Sequence, residues 1–182
     1  MSKDCSNKGS WRNERGQSIV EISLITPLLL VALYIPVDFG ISFYVGNMVA
    51  NAAREGARIG SGLPKTGGGG TPVYSSAEAD QIRNYVRDVV KVPRWLTPSS
   101  RKLFVSFYDG ATCIQFVEVK VQGDYNFFLY QIINLFGGSA PPSVLITRTT
   151  RMRYNFQTAG TAADSLCTTP TTFPASGTGY NV

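Results

Sequence analysis

From Ile19 to Val45 the chain is almost free of charge, and this stretch limits what it can fold into more than any other. Its first part reads IVEISLITPLLLVALYIPV, in which Glu21 is the single charged residue before Asp38. At a rise of about 1.5 Å per residue, a helix of this length crosses a hydrocarbon core of roughly 30 Å. A secretory signal has a shorter apolar region. A buried core helix is the other alternative, but apolar character on every face over such a length fits lipid better. A single membrane-spanning helix is therefore expected, with the remainder folding as an ordinary soluble domain.

Charge orients this helix only weakly. Lys3, Lys8, Arg12 and Arg15 precede it, and Arg54, Arg58 and Lys65 follow. The excess of cations on the cytoplasmic side favours a cytoplasmic N-terminus slightly, and the closeness of Arg12 and Arg15 to the span adds to it. Glu21 is more informative. A carboxylate in a membrane helix costs on the order of a few kcal/mol unless it is paired or hydrated. Either it stays wet at the interface, or it waits for a cation. Gly16 lies five residues earlier; a cut after Gly16 would leave the α-amino group of Gln17 as that cation, in the same chain or in a neighbour.

A glycine, a glutamate five residues on and then an apolar helix is a spacing that resembles the cleavage motif of type IV pilin-like proteins. The wider block narrows the likeness. Arg15-Gly16-Gln17, Val20-Glu21, Pro27-Leu28-Leu29, Asp38-Phe39-Gly40 and Ala52-Ala53-Arg54-Glu55-Gly56-Ala57-Arg58 together resemble the N-terminal region of TadE-like proteins, minor pseudopilins of the tight-adherence (Tad) pilus. Major pilins of that system usually carry an aromatic after the glutamate, where this chain has Ile22. The resemblance implies cutting between Gly16 and Gln17 by a prepilin peptidase. It also implies a role for Glu21 in assembly, pairing with the N-terminal amine of an adjacent subunit. The implied partners are other pilins and pseudopilins, the prepilin peptidase and an inner-membrane assembly platform. The implied location is the cytoplasmic membrane, crossed once, with the C-terminal domain outside.

Along the same helix, Gly40, Ser42, Gly46, Ala50, Ala53, Gly56 and Ala57 are small residues at near-helical spacings that permit close packing. Pro27 and Pro36 each remove one helical hydrogen bond. Arg54 and Arg58 share a face beside Glu55, and Gly60 and Gly62 offer a helix stop. The run SGLPKTGGGGTPVY reads as a flexible linker. It lacks the glycines that a phosphate-binding loop needs around Lys65.

The soluble part then begins with Ser75-Ser76-Ala77-Glu78, a capping box, and an apolar stripe of Ile82, Tyr85, Val86, Val89 and Val90 that Pro93 ends. Two strand patterns, Lys102 to Tyr108 and Cys113 to Val121, flank the turn dipeptide Asp109-Gly110, and Val144 to Tyr154 reads as a third strand. Between strands, Phe128, Leu129, Ile132, Ile133 and Phe136 recur at helical spacing. Core packing is expected of that helix, with a partner or membrane surface as the alternative. The expected fold class is α+β: a long N-terminal transmembrane helix, then one helix on a roughly three-stranded antiparallel sheet. The expected division is a leader over 1–16, an assembly helix over 17–60, a linker over 61–74, an extracytoplasmic domain over 75–157 and an irregular Thr/Gly/Ala-rich tail over 158–182.

Composition narrows the chemistry. The chain has no histidine, which removes the commonest general base and zinc ligand. No nucleophile motif, metal-ligand cluster or cofactor-binding motif is found, so neither catalysis nor a cofactor or metal is expected. The net charge of +5 is scattered over the chain, and nucleic acid is not expected as a direct ligand. The cysteines Cys5, Cys113 and Cys167 show no metal-type spacing. Cys5 would leave with the leader, and Cys113 and Cys167, outside the cytoplasm, would then be a candidate disulfide. An uncleaved, membrane-tethered binding module of the envelope remains the alternative to a pseudopilin.

Overall fold

The computed structural model describes residues 14–64, 74–90, 95–109, 113–135, 137–139, 141, 143–155 and 166–182. The leader before Glu14, the glycine run at 67–70, Pro93, Gly110 and the tail over 156–165 lie outside the described residues.

The apolar stretch forms the first part of one helix, α1 (Glu14–Gly62), which continues through Pro27 and Pro36. Its 49 residues give a rod of about 73 Å. Helix α2 (Ser76–Tyr85) follows and runs into a π-helical turn, Val86–Val90. The expected capping box is present: the Glu78 carboxylate accepts the Ser75 N–H at 2.8 Å, and the Ser75 hydroxyl oxygen accepts the Ala77 N–H at 3.2 Å. Strands β1 (Lys102–Tyr108) and β2 (Phe116–Tyr125) pair antiparallel, Lys102 opposite Gln122 and Tyr108 opposite Phe116. Helix α3 (Phe128–Leu135) leads to β3 (Val144–Arg153), which pairs antiparallel with β2 along its whole length.

The fold class is α+β, but among the described residues the sheet has five strands and not three. Strands β4 (Pro170–Phe173) and β5 (Tyr180–Asn181) both pair with β1, Val105 opposite Phe173 and Leu103 opposite Tyr180. They come from the tail expected to be irregular. The Thr- and Pro-rich sequence lacks the alternation of a half-buried strand, yet an edge strand needs only backbone pairing on one side. Strand β2 begins at Phe116 and not at Cys113, because the residues before it pair with the tail instead. Ile114 bridges Leu166, the Ile114 carbonyl accepts the Cys167 N–H at 3.2 Å, and Cys113 is bonded to Cys167.

The core lies between the second half of α1 and one face of the sheet. Val45, Val49, Ala52, Ala53 and Ala57 of α1 are fully buried, as are Ile82 and Val86 beyond them. Opposite them stand Leu103, Val105 and Phe107 of β1 and Val117, Val119 and Val121 of β2, alternate residues of each strand. The small residues let the helix lie close. A Cβ on Gly60 would stand 2.9 Å from Ile82 Cδ1 and 3.1 Å from Val117 Cγ2, and one on Gly56 3.1 Å from Val119 Cγ1. Gly60 is thus a contact point within the helix, which ends at Gly62. Much of the small-residue stripe therefore serves packing within the chain. Glu55 and Arg58, three apart, form an ion pair of 2.7 Å at the surface.

Helix α3 supplies the expected core only in part, through the half-buried Tyr130. Phe128 is 50% exposed and Ile133 38%, and only the preceding Phe127 is buried. The helix packs on α1, and its Phe128 and Ile133 are left uncovered by the described residues.

Candidate functional site

Two halves of one helix meet different surroundings. From Ser18 to Val37 every residue of α1 is exposed; from Asp38 onward buried positions recur down to Ser61. The apolar window of this helix is long enough to cross a membrane, and none of it is buried by the rest of the chain. A core helix of a soluble protein would bury that surface, so the exposure itself favours lipid. Two hydroxyls inside the stretch are satisfied by their own helix. Ser23 Oγ donates to the Val20 carbonyl at 2.8 Å and Thr26 Oγ1 to the Ile22 carbonyl at 2.7 Å, as an apolar solvent demands.

Gly16 and Gln17 fall in the first turn of α1, and Glu21 follows one turn later on an exposed surface. The three therefore sit at the far end of the rod from the folded domain, roughly 60 Å of helix away from Gly62. Cys113 and Cys167 lie in that domain, S–S 2.03 Å and Cα–Cα 5.0 Å, tying the tail to the start of β2. The sequence-predicted residues thus occupy two separate places, the exposed start of α1 and the far edge of the head.

A third place was not singled out by its chemistry. Asp38 stands where exposure ends, and it is 5% exposed. Its Oδ1 accepts the Tyr125 hydroxyl at 3.0 Å, and its Oδ2 accepts the Leu129 N–H at 2.9 Å. That N–H belongs to the first turn of α3, which has no partner within its own helix. One carboxylate therefore joins α1, the end of β2 and the start of α3. Aromatic rings surround it: Phe39 lies 5.9 Å from Phe127, Tyr34 5.3 Å from Phe128, and Tyr125 meets Phe127 edge-on at 5.0 Å. Burial first, then the hydrogen bond to Asp38, pushes the Tyr125 phenol up to about 12. The available signal was a lone carboxylate closing an apolar run with no cation near it in sequence. Such a group must find donors in the fold.

Among the described residues no group of three or more His, Cys, Asp or Glu side chains could hold a metal ion.

Together these features define a class: a protein with one long helix, its first half bare and apolar and its second half the spine of an α+β head. Within that class, residues 16–58 match the family model described as TadE-like protein. The segment from the start of α1 to the core of the head is TadE-like. No curated protein and no solved structure matches the chain.

Proposed function

We propose that this protein is a minor pilin or pseudopilin of a Tad-type pilus, made as a precursor and cut between Gly16 and Gln17 by a prepilin peptidase. The observation that carries this reading is the division of α1. Its apolar half is bare along its whole length, its Glu21 stands at the exposed far end, and its other half is built into the head. A simple tether needs only hydrophobic length, and a flexible joint would do between it and the head. A subunit that assembles through its helix needs the helix rigidly coupled to the head, so that packing of one sets the position of the other. The TadE-like match over 16–58 spans this coupled region.

On this reading the N-terminus is cytoplasmic and the head lies outside, where the Cys113–Cys167 bond is in an oxidising compartment. Pairing of Glu21 with the Gln17 amine of an adjacent subunit neutralises both charges and helps set the register between helices. The partners are other pilins and pseudopilins, the peptidase and an inner-membrane assembly platform.

The Glu21→Ala variant tests it. Removing a carboxylate from a membrane helix makes insertion easier, so the variant is expected in the membrane at normal level but without pili on the cell. Normal piliation would count against assembly through this residue.

A further inference from the structure

The outer face of α3 and the turn before the 98–100 helical turn leave large rings uncovered: Phe128 is 50% and Trp95 60% exposed. Both stand beside the same turn of α1, where Tyr34 and Val37 lie, around a cleft of about 350 Å³. That turn is the last of the bare apolar stretch. From Ile19 to Val37 the helix rises roughly 28 Å, close to the thickness of a hydrocarbon core. The edge of the lipid therefore falls at Tyr34 to Asp38, at the level of the exposed rings.

We propose that Trp95, Phe128 and Tyr34 form an aromatic seat embedded in the headgroup layer of the bilayer that α1 crosses, so that the head rests on lipid. The inference relies on the anchor reading of α1 and on nothing about pilus assembly.

Three observations carry it. The first is continuity, because Phe128 extends the bare surface of α1 sideways: Tyr34 and Phe128 are 5.3 Å apart, and Trp95 lines the same cleft, with the uncharged Asn126 and Gln131 also on its wall. The second is chemistry. Trp and Tyr favour the boundary between headgroups and acyl chains, where the ring is buried and its polar edge stays wet. The sequence FLYQIINL of α3 carries no charge that would hold it off an apolar layer. The third is rigidity, since both rings stand on fixed supports. Leu96, next to Trp95, is 1% exposed and lies so close to Gly123 that a Cβ there would come within 2.8 Å of it. The Arg101 guanidinium holds the Leu96 carbonyl at 2.8 and 3.1 Å. Phe128 is fixed by the Asp38 bond to the next residue, Leu129. Rings left exposed by chance on a mobile loop would have no such support.

The test uses the full chain in phosphatidylcholine liposomes. The chain has two tryptophans, so Trp11→Phe leaves Trp95 as the only one. Lipids brominated near the glycerol backbone are expected to quench Trp95 emission strongly, and lipids brominated near the chain end to quench it weakly. A second protein, Trp11→Phe/Trp95→Phe/Leu29→Trp, reads the anchor alone and is expected to show the reverse depth preference. Quenching at residue 29 with none at Trp95 would overturn the seat and leave the anchor standing. Absence of quenching at both would remove the anchor and the seat together. Quenching of Trp95 that fades as protein density in the bilayer rises would assign this face to a second copy of the chain, which also overturns the proposal.

Discussion

Asp38 sets the joint between the bare and the buried halves of α1. Its carboxylate is buried and takes one donor from the end of β2 and one from the start of α3. Replacing it with alanine leaves both donors without their acceptor, and an unsatisfied buried donor costs about 1–3 kcal/mol. Asp38→Ala is therefore expected to lower the denaturation midpoint of the full chain in micelles, with Asp38→Asn intermediate because one acceptor survives. An unchanged midpoint in Asp38→Ala would contradict this role. The Tyr125 phenol adds a pH signature. It is held up to about 12 in the fold, against an ordinary value of 10.0. Its contribution is fully present below pH 10 and is lost as pH rises to about 12, because the unfolded phenol ionises first. Tyr125→Phe is expected to flatten the loss of stability across that window; an unchanged pH profile would show that Tyr125 does not carry this pH dependence.

Among the elements, the contact of α1 with α2 and the sheet is close and easily tested. Gly60 and Gly56 lie against Ile82, Val86, Val117 and Val119, with room for no added side chain larger than a methyl and little for that. Gly60→Leu is expected to lower the stability of the head by about 1–3 kcal/mol through overpacking, read as a shift of the thermal midpoint. Gly40→Leu, at a site with nothing within 4 Å, is the matched control and is expected to leave it unchanged. Equal effects at the two sites would contradict the packing account.

How much of this was legible in the sequence differs by element. The span, the capping box at Ser75, the β1–β2 pairing and β3 follow from length, period and turn chemistry, all local signals. The tail strands do not, because β4 and β5 are fixed by pairing with β1 and by the link from Cys167 to Cys113, which are distant in sequence. The apolar period of α3 was legible, but the surface it faces was not: its residues look like core, yet the helix packs on α1 with Phe128 left exposed. At the exposed end of α1, Gly16, Gln17 and Glu21 stood out by spacing. Asp38 was visible only as part of a motif, since its partners Tyr125 and Leu129 come from far along the chain.

The whole molecule is a rod and a head that share one helix. Because α1 runs as one helix from its bare half into the core, the apolar half is joined to the head with no loop between them. This geometry suits a subunit whose helix packs among others while its head is displayed. The proposed function depends on one covalent event at the start of that helix, the loss of everything before Gln17. The most direct measurement is therefore the N-terminal sequence and intact mass of the protein taken from native membranes. The account expects a chain that begins at Gln17. A chain that keeps residues 1–16 would contradict it and would make the protein an uncleaved, membrane-tethered module.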